Sequence, residues 1–260
     1  SAFTSKITGQ EQYAYVWTVG TDGVGDGMDK LVTVDVHPGS PLYGKVVHIV
    51  SVGGRHGAFG AGLTDDRRFL WAAGLASSSM FIFDVASDPG RPQLRRIVGD
   101  FVKATGGAAG PQKMIALPGR MMIAARYNDK DESGPTALVE YTNAGEYVAT
   151  HWMPTDANLR GASKSGQSAQ GHGFDIGVLP QSAAIVTSSV RGGDYRALLA
   201  QEADDDLVER AAGNTVVIWD LHSRKPKKVI DVPGAPLAVR CVSNSSHEHC
   251  FTVAALTAKL

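Results

Sequence analysis

The stretch "MFIFDVASDPGRPQLRRIV" (80–98) decides how the chain is read. An apolar, aromatic-rich run leads into Asp84, a Pro/Gly turn follows, and a second run closes the unit. This is the form of a hairpin whose turn is built by Asp, Gly and Pro. Three other segments repeat it: "LVTVDVHPGSPLYGKVVHIV" (31–50), "ALVEYTNAGEYVATHW" (137–152) and "NTVVIWDLHSRKPKKVIDV" (214–232). Asp35 and Asp84 set a spacing of about 50 residues, in the range of repeat architectures.

Another short strand precedes each hairpin: 13–19, 68–75, 120–127 and 183–190, with "CFTVAAL" (250–256) as a fifth of the set. A strand followed by a hairpin at this period predicts the blade of an all-β propeller, against the alternative of a β-sandwich with similar hairpins. A propeller escapes the edge-strand hazard by closing into a ring. Four units and one further strand end in mid-blade. The expectation is therefore one incomplete propeller domain over 1–260, of about four to five blades. Its completion would come from a C-terminal remainder or from another chain.

Composition agrees. Thirty glycines and twelve prolines, mostly in short clusters, match an architecture with many tight turns. A hydrophobic share of 43% supports a packed core. Lys and Arg total 25 against 26 acids, so nothing marks a nucleic-acid partner. No apolar stretch approaches the roughly 18 residues of a membrane span. Two inserts break the rhythm, at 155–173 and 191–213. The first is small and polar and reads as a loop. The second has helical periodicity through Leu198, Leu199, Leu207 and Val208. The sequence begins at Ser1 with no apolar leader, which predicts a removed targeting peptide or a fragment.

Several long strings are more specific: "DVHPGSPLYGKVV", "LTDDRRFLWAAGL", "MFIFDVASDPGRPQL", "ALPGRMMI", "GNTVVIWDLHSRKP", "DVPGAPLAVR" and "ALTAKL". Together, and in order from about Tyr13 to Leu260, they resemble the selenium-binding protein family, which includes bacterial methanethiol oxidases. The resemblance implies a seven-bladed propeller that continues past this chain's length. It also implies a copper-dependent oxidase converting methanethiol, oxygen and water to formaldehyde, hydrogen sulfide and hydrogen peroxide. Selenium is a second ligand that the family suggests; no nucleotide cofactor is expected. Exported bacterial relatives suggest a periplasmic location, with the cytoplasm as the alternative.

The family pattern places a His-His pair just ahead of "TDDRR" and a single His ahead of "ALPG". Laid without gaps, those positions are Phe59, Gly60 and Gln112. None offers an imidazole nitrogen, so the pattern's metal ligands are replaced. This sets the oxidase reading against an alternative, a catalytically degenerate propeller serving as a binding scaffold or as a subunit of a larger assembly.

Other residues are candidates to substitute. His56, on a Gly-rich loop three residues before Phe59, is a metal or ligand candidate against a solvated imidazole. His172 in "GHGFD" is a second candidate, and Asp175 a pocket candidate against a residue that bonds backbone amides. Cys241 and Cys250, in "CVSNSSHEHC", fit a hairpin disulfide or facing core residues more closely than a zinc site with His247 and His249. "GTDGVGDG" (20–27) reads as a hairpin connection, because a strand and not a helix follows it. Asp65 and Asp66 read as turn residues. His37, His48, His151 and His222 read as surface or interstrand residues.

Overall fold

In the computed structural model, residues 2–130, 136–154, 172–190, 213–232, 234, 236–243 and 247–254 are described. The predicted inserts at 155–173 and 191–213 lie outside these residues, apart from their last positions.

The first sheet has three strands, β1 (Tyr13–Thr18), β2 (Lys30–Asp35) and β3 (Val46–Ser51). Three four-stranded sheets follow. The second holds β4 (Ala58–Leu63), β5 (Phe69–Gly74), β6 (Ser79–Asp84) and β7 (Gln93–Val98). After the single helical turn α1 (Phe101–Ala104), the third holds β8 (Ala108–Leu117), β9 (Arg120–Asn128), β10 (Ala137–Thr142) and β11 (Tyr147–Trp152). The fourth holds β12 (His172–Leu179), β13 (Ala184–Val190), β14 (Thr215–Asp220) and β15 (Pro226–Asp231). The fifth pairs β16 (Pro236–Ser243) with β17 (Glu248–Ala254). Every pairing is antiparallel between neighbours in sequence.

Consecutive sheets pack through their first strands: β4 lies against β8, β8 against β12, and β12 against β16. The architecture is that of a β-propeller. One expectation needs correction. The sequence units contained three strands, whereas each complete sheet has four. The strands overlooked are β4, β8, β12 and β16, the ones that run along the inside. Phe59 and Gly60 are in β4.

The alternation of side chains explains the packing. In β6, Met80 and Ile82 face the third sheet, joining Trp71 from β5 and Met121 and Ile123 from β9. Phe81 and Phe83 face the first sheet, with Leu31, Leu70 and Ala72. Met122, Ala124 and Leu138 turn the other way, onto Ile176, Ile185, Val217 and Trp219 of the fourth sheet. A sheet buried on both faces therefore reads as a continuous apolar run, and burying each such side chain contributes about 1.5–3 kcal/mol. In β2 of the first sheet, buried and half-buried residues alternate instead.

The repeated residue at the end of each sheet's next-to-last strand has one task. Asp35 accepts the His37 N–H at 3.0 Å and Asp84 accepts those of Ala86 and Ser87 at 3.1 and 3.0 Å. Asp220 accepts the N–H groups of His222 and Ser223 at 3.0 and 2.7 Å. In the third sheet Thr142 substitutes, its hydroxyl accepting the Glu146 N–H at 3.1 Å. These side chains hold the outer turns by local hydrogen bonds.

Candidate functional site on the innermost strands

Each inner strand breaks register at a comparable place. In β4 pairing skips from Ala58 to Ala61, in β8 from Pro111 to Lys113, in β12 from Gly173 to Ile176, and in β16 from Pro236 to Val239. These are β-bulges, which bend a strand and re-aim its side chains. Phe59, Gly60, Gln112 and Asp175 all sit in them. These four positions are thus gathered into one belt around the inside of the propeller.

The belt is knitted together. A Cβ built on Gly60 would lie 2.0 Å from the Gln112 backbone oxygen, so β4 and β8 meet there backbone to backbone. The Gln112 side chain is fully buried; its Nε2 donates to the Phe174 carbonyl at 3.0 Å, and its Oε1 accepts from Arg126 Nη1 at 3.0 Å. One carboxylate oxygen of Asp175 accepts the Val239 N–H at 3.1 Å and Arg240 Nη1 at 2.6 Å, joining β12 to β16. Ser188 Oγ accepts the Asp175 N–H at 3.0 Å and donates to the Leu237 carbonyl at 2.5 Å. Asp175 is a buried staple between strands.

Copper fits this donor set poorly. Phe59 supplies no lone pair, and its ring lies under Lys113 Nζ, 5.9 Å from the centroid. Gly60 has no room for a side chain. Both ends of the Gln112 amide are spent, one of them on a guanidinium. A cation within about 5 Å of that charge meets a repulsion of about 3 kcal/mol per unit charge at an effective dielectric of 20. Among the described residues no three His, Cys, Asp or Glu side chains come together as a metal-binding group.

The alternative ligands do not repair this. His56 lies on the connection before β4, its ring edge-on to Phe81 at 4.8 Å. Its backbone N–H and that of Ala58 donate to one oxygen of the buried Asp29, at 2.9 and 3.0 Å, while Gly20 N–H takes the other. His56 thus packs as part of the connection between the first two sheets. His172 opens β12 opposite Val190. Cys241 and Cys250 face each other across β16 and β17 and form a disulfide. It sits on Gly177 of β12, where a Cβ would come 2.3 Å from Cys241 Sγ.

Sequence reasoning passed over Arg126, Lys113 and a second polar cluster. Glu140, buried on β10, receives Arg224 Nε and Nη2 at 2.7 and 3.2 Å from the fourth sheet, and pairs with His151 Nε2 at 2.9 Å. Burial alone would raise its pKa. The hydrogen bonds from His151 and Arg224, with the Arg224 charge, outweigh it and hold the carboxyl at about 2. Arg126 was detectable in "MMIAARY", because a charge inside an apolar run must find a buried partner. The bulges were signalled by Gly and Pro inside "AFGAG" and "AAGPQ".

A family model described as 56kDa selenium binding protein (SBP56) matches residues 3–260. A methanethiol oxidase of Ruegeria pomeroyi is 48% identical over 262 residues, which takes in all of this chain and 60% of that protein. A methanethiol oxidase of Hyphomicrobium sp is 45% identical over 99% of this chain and 57% of its own length. The chain therefore spans about three-fifths of the length of the curated relatives it matches. A hypothetical selenium-binding protein from Sulfolobus tokodaii superposes with a TM-score of 0.72 over 94% of this chain and 60% of its own, at 18% identity, a likeness of fold. The order of the blades and the belt of bulges, together with a family match across nearly every residue, make this chain a member of the 56 kDa selenium-binding protein family.

Proposed function

We propose that this chain is the first part of a thiol-oxidising propeller, acting on methanethiol with oxygen and water to give formaldehyde, hydrogen sulfide and hydrogen peroxide. The observation that carries the reading is 48% identity across the whole chain to a methanethiol oxidase. The belt suits a small sulfur compound. Phe59, Phe174 and Leu237, at the first bulge positions of three inner strands, are partly exposed apolar side chains for an alkyl group. Lys113 over Phe59 supplies a positive charge, which favours a thiolate over a thiol.

The rest of the ring belongs to the proposal. Val16, Val46 and Ile49 are exposed on the first sheet, and Val242, Phe251 and Val253 on the fifth. Further blades seated on both faces would cover them. A periplasmic location is part of the same reading and is supported by the Cys241–Cys250 bridge.

One observation favours a second reading. The Arg126–Gln112–Phe174 lock occupies a position where the family pattern has a metal ligand, as expected of a scaffold that has given up catalysis. The test is sulfide and peroxide release from methanethiol, run beside metal analysis of the purified protein. Turnover supports the oxidase. An inert, metal-free sample overturns it and leaves the scaffold.

A further inference from the structure

The N-terminal segment crosses the propeller at the end where the β4–β5 and β8–β9 turns lie. Phe3 packs on the apolar cluster between the third and fourth sheets, as do Ile115 and Ala183. Ser5 is fastened to the β4–β5 turn: its N–H and its hydroxyl both donate to the Asp65 carbonyl, at 2.8 and 2.9 Å. Arg67, left-handed at φ 58°, donates back to the Ser5 carbonyl at 3.4 Å. Beneath this strap lies a cleft of about 420 Å³, open to solvent.

The walls of the cleft differ. Its floor is apolar, made by Gly62 and Leu63 of β4 and by Met114 and Ile115 of β8, the stretches that follow the bulges. Its rim carries Lys6, Arg67 and the hydroxyl residues Thr4 and Ser5. No acidic residue lines it. The two acids of the adjoining turn are engaged elsewhere: Asp65 accepts the Gly119 N–H at 2.9 Å and Asn143 Nδ2 at 2.6 Å, and Asp66 accepts the Thr64 hydroxyl at 2.6 Å and the Arg68 N–H at 3.0 Å. Lys6 and Arg67 thus line the cleft beside its apolar floor, and the charged side chains of the lining itself are all cationic.

We infer that this cleft binds a small anion carrying a short alkyl group, head toward Lys6 and Arg67, alkyl chain on Gly62 and Met114, with residues 4–6 along its rim. The proposal goes beyond the oxidase reading and does not depend on it, because it concerns binding under the strap and no step of the reaction.

The test is a titration of the purified chain with 1-butanesulfonate, butyrate and 1-butanol, followed by backbone amide shifts. Saturable shifts at Gly62 and Met114 with both anions, and none with the alcohol, are expected. A response to one anion only assigns the head group. The double variant Lys6→Ala/Arg67→Asn, in which Asn tolerates the left-handed backbone, weakens binding at least tenfold, and added salt weakens it in the parent. Ser5→Pro removes the N–H that ties the strap and weakens binding without altering the far-ultraviolet circular dichroism. Equal affinity in the double variant, shifts that map elsewhere, or no saturable shift with either anion overturns the proposal.

Discussion

The outer hairpins and the inner strands of this propeller are held by different kinds of bond. At the outer turns, Asp35, Asp84 and Asp220 bind backbone N–H groups two or three residues ahead. On the inner strands, Gln112 and Asp175 reach partners more than sixty positions away. Local bonds make the repeat regular, so every unit looks alike. Long-range bonds make the inner belt particular, because each bulge must match its own neighbour. The lesson is that the turns depend on their own sequence, whereas each inner strand depends on the sheet beside it.

The comparison can be broken first at Gly60. The substitution Gly60→Ala forces a methyl against a backbone oxygen that cannot rotate away, so it should destabilise by about 3 kcal/mol. Gly60→His should fare no better and should not restore metal binding. Thermal unfolding and metal analysis check both. A well-folded, copper-loaded Gly60→His protein would show that the inner strands yield more easily than their spacing implies.

Gln112→Leu comes next. It removes the amide oxygen that accepts from Arg126 Nη1 inside the belt, and losing a buried hydrogen bond to a charged group costs about 2 kcal/mol. Chemical denaturation measures it. The corresponding outer change, Asp84→Ala, removes bonds near water and should cost only about 1 kcal/mol. Equal losses at the two sites would erase the distinction between the regions.

Glu140 sharpens the comparison through pH. Its folded pKa, about 2, lies below the ordinary 4.5. It therefore adds stability that is fully present above 4.5 and is lost as pH falls through 2. Glu140→Gln should flatten that acid limb and leave a smaller decline, seen as the melting temperature from pH 6 down to pH 2. The Glu248 carboxyl also stands at about 2. Burial pushes it up, but N–H groups of Gln181 and Ser182 and the Ser243 hydroxyl hold it down, so part of the limb survives in that variant.

The smallest effect is expected on the fifth sheet. Phe251→Ser should change the stability of this chain by less than about 0.5 kcal/mol, because the ring is 55% exposed. The same substitution at Phe81, packed between two sheets, should cost about 4 kcal/mol. A large loss at Phe251 would mean that its face is already covered in solution.

The hairpins were legible because their bonds are short-range. "MFIFDVASDPGRP" contains both the apolar run and the acid that caps its own turn, and a turn needs nothing from elsewhere in the chain. The family strings were legible for a similar reason, since they record these local rules together with descent. The inner strands were not. "AFGAGL" and "PLAVRCVS" are small or mixed in character, and a bulge resets the alternation by which a strand is recognised.

The sequence by itself thus determined the all-β repeat, the position of its turns, the family, and that Phe59, Gly60 and Gln112 carry no imidazole. Only the tertiary structure decided that these three positions lie in one belt of bulges, that Arg126 holds Gln112, and that Gly60 has no space to fill. The physical reason is range: hydrogen bonds between residues close in sequence are written as patterns, whereas the approach of two backbones from different sheets is fixed by packing.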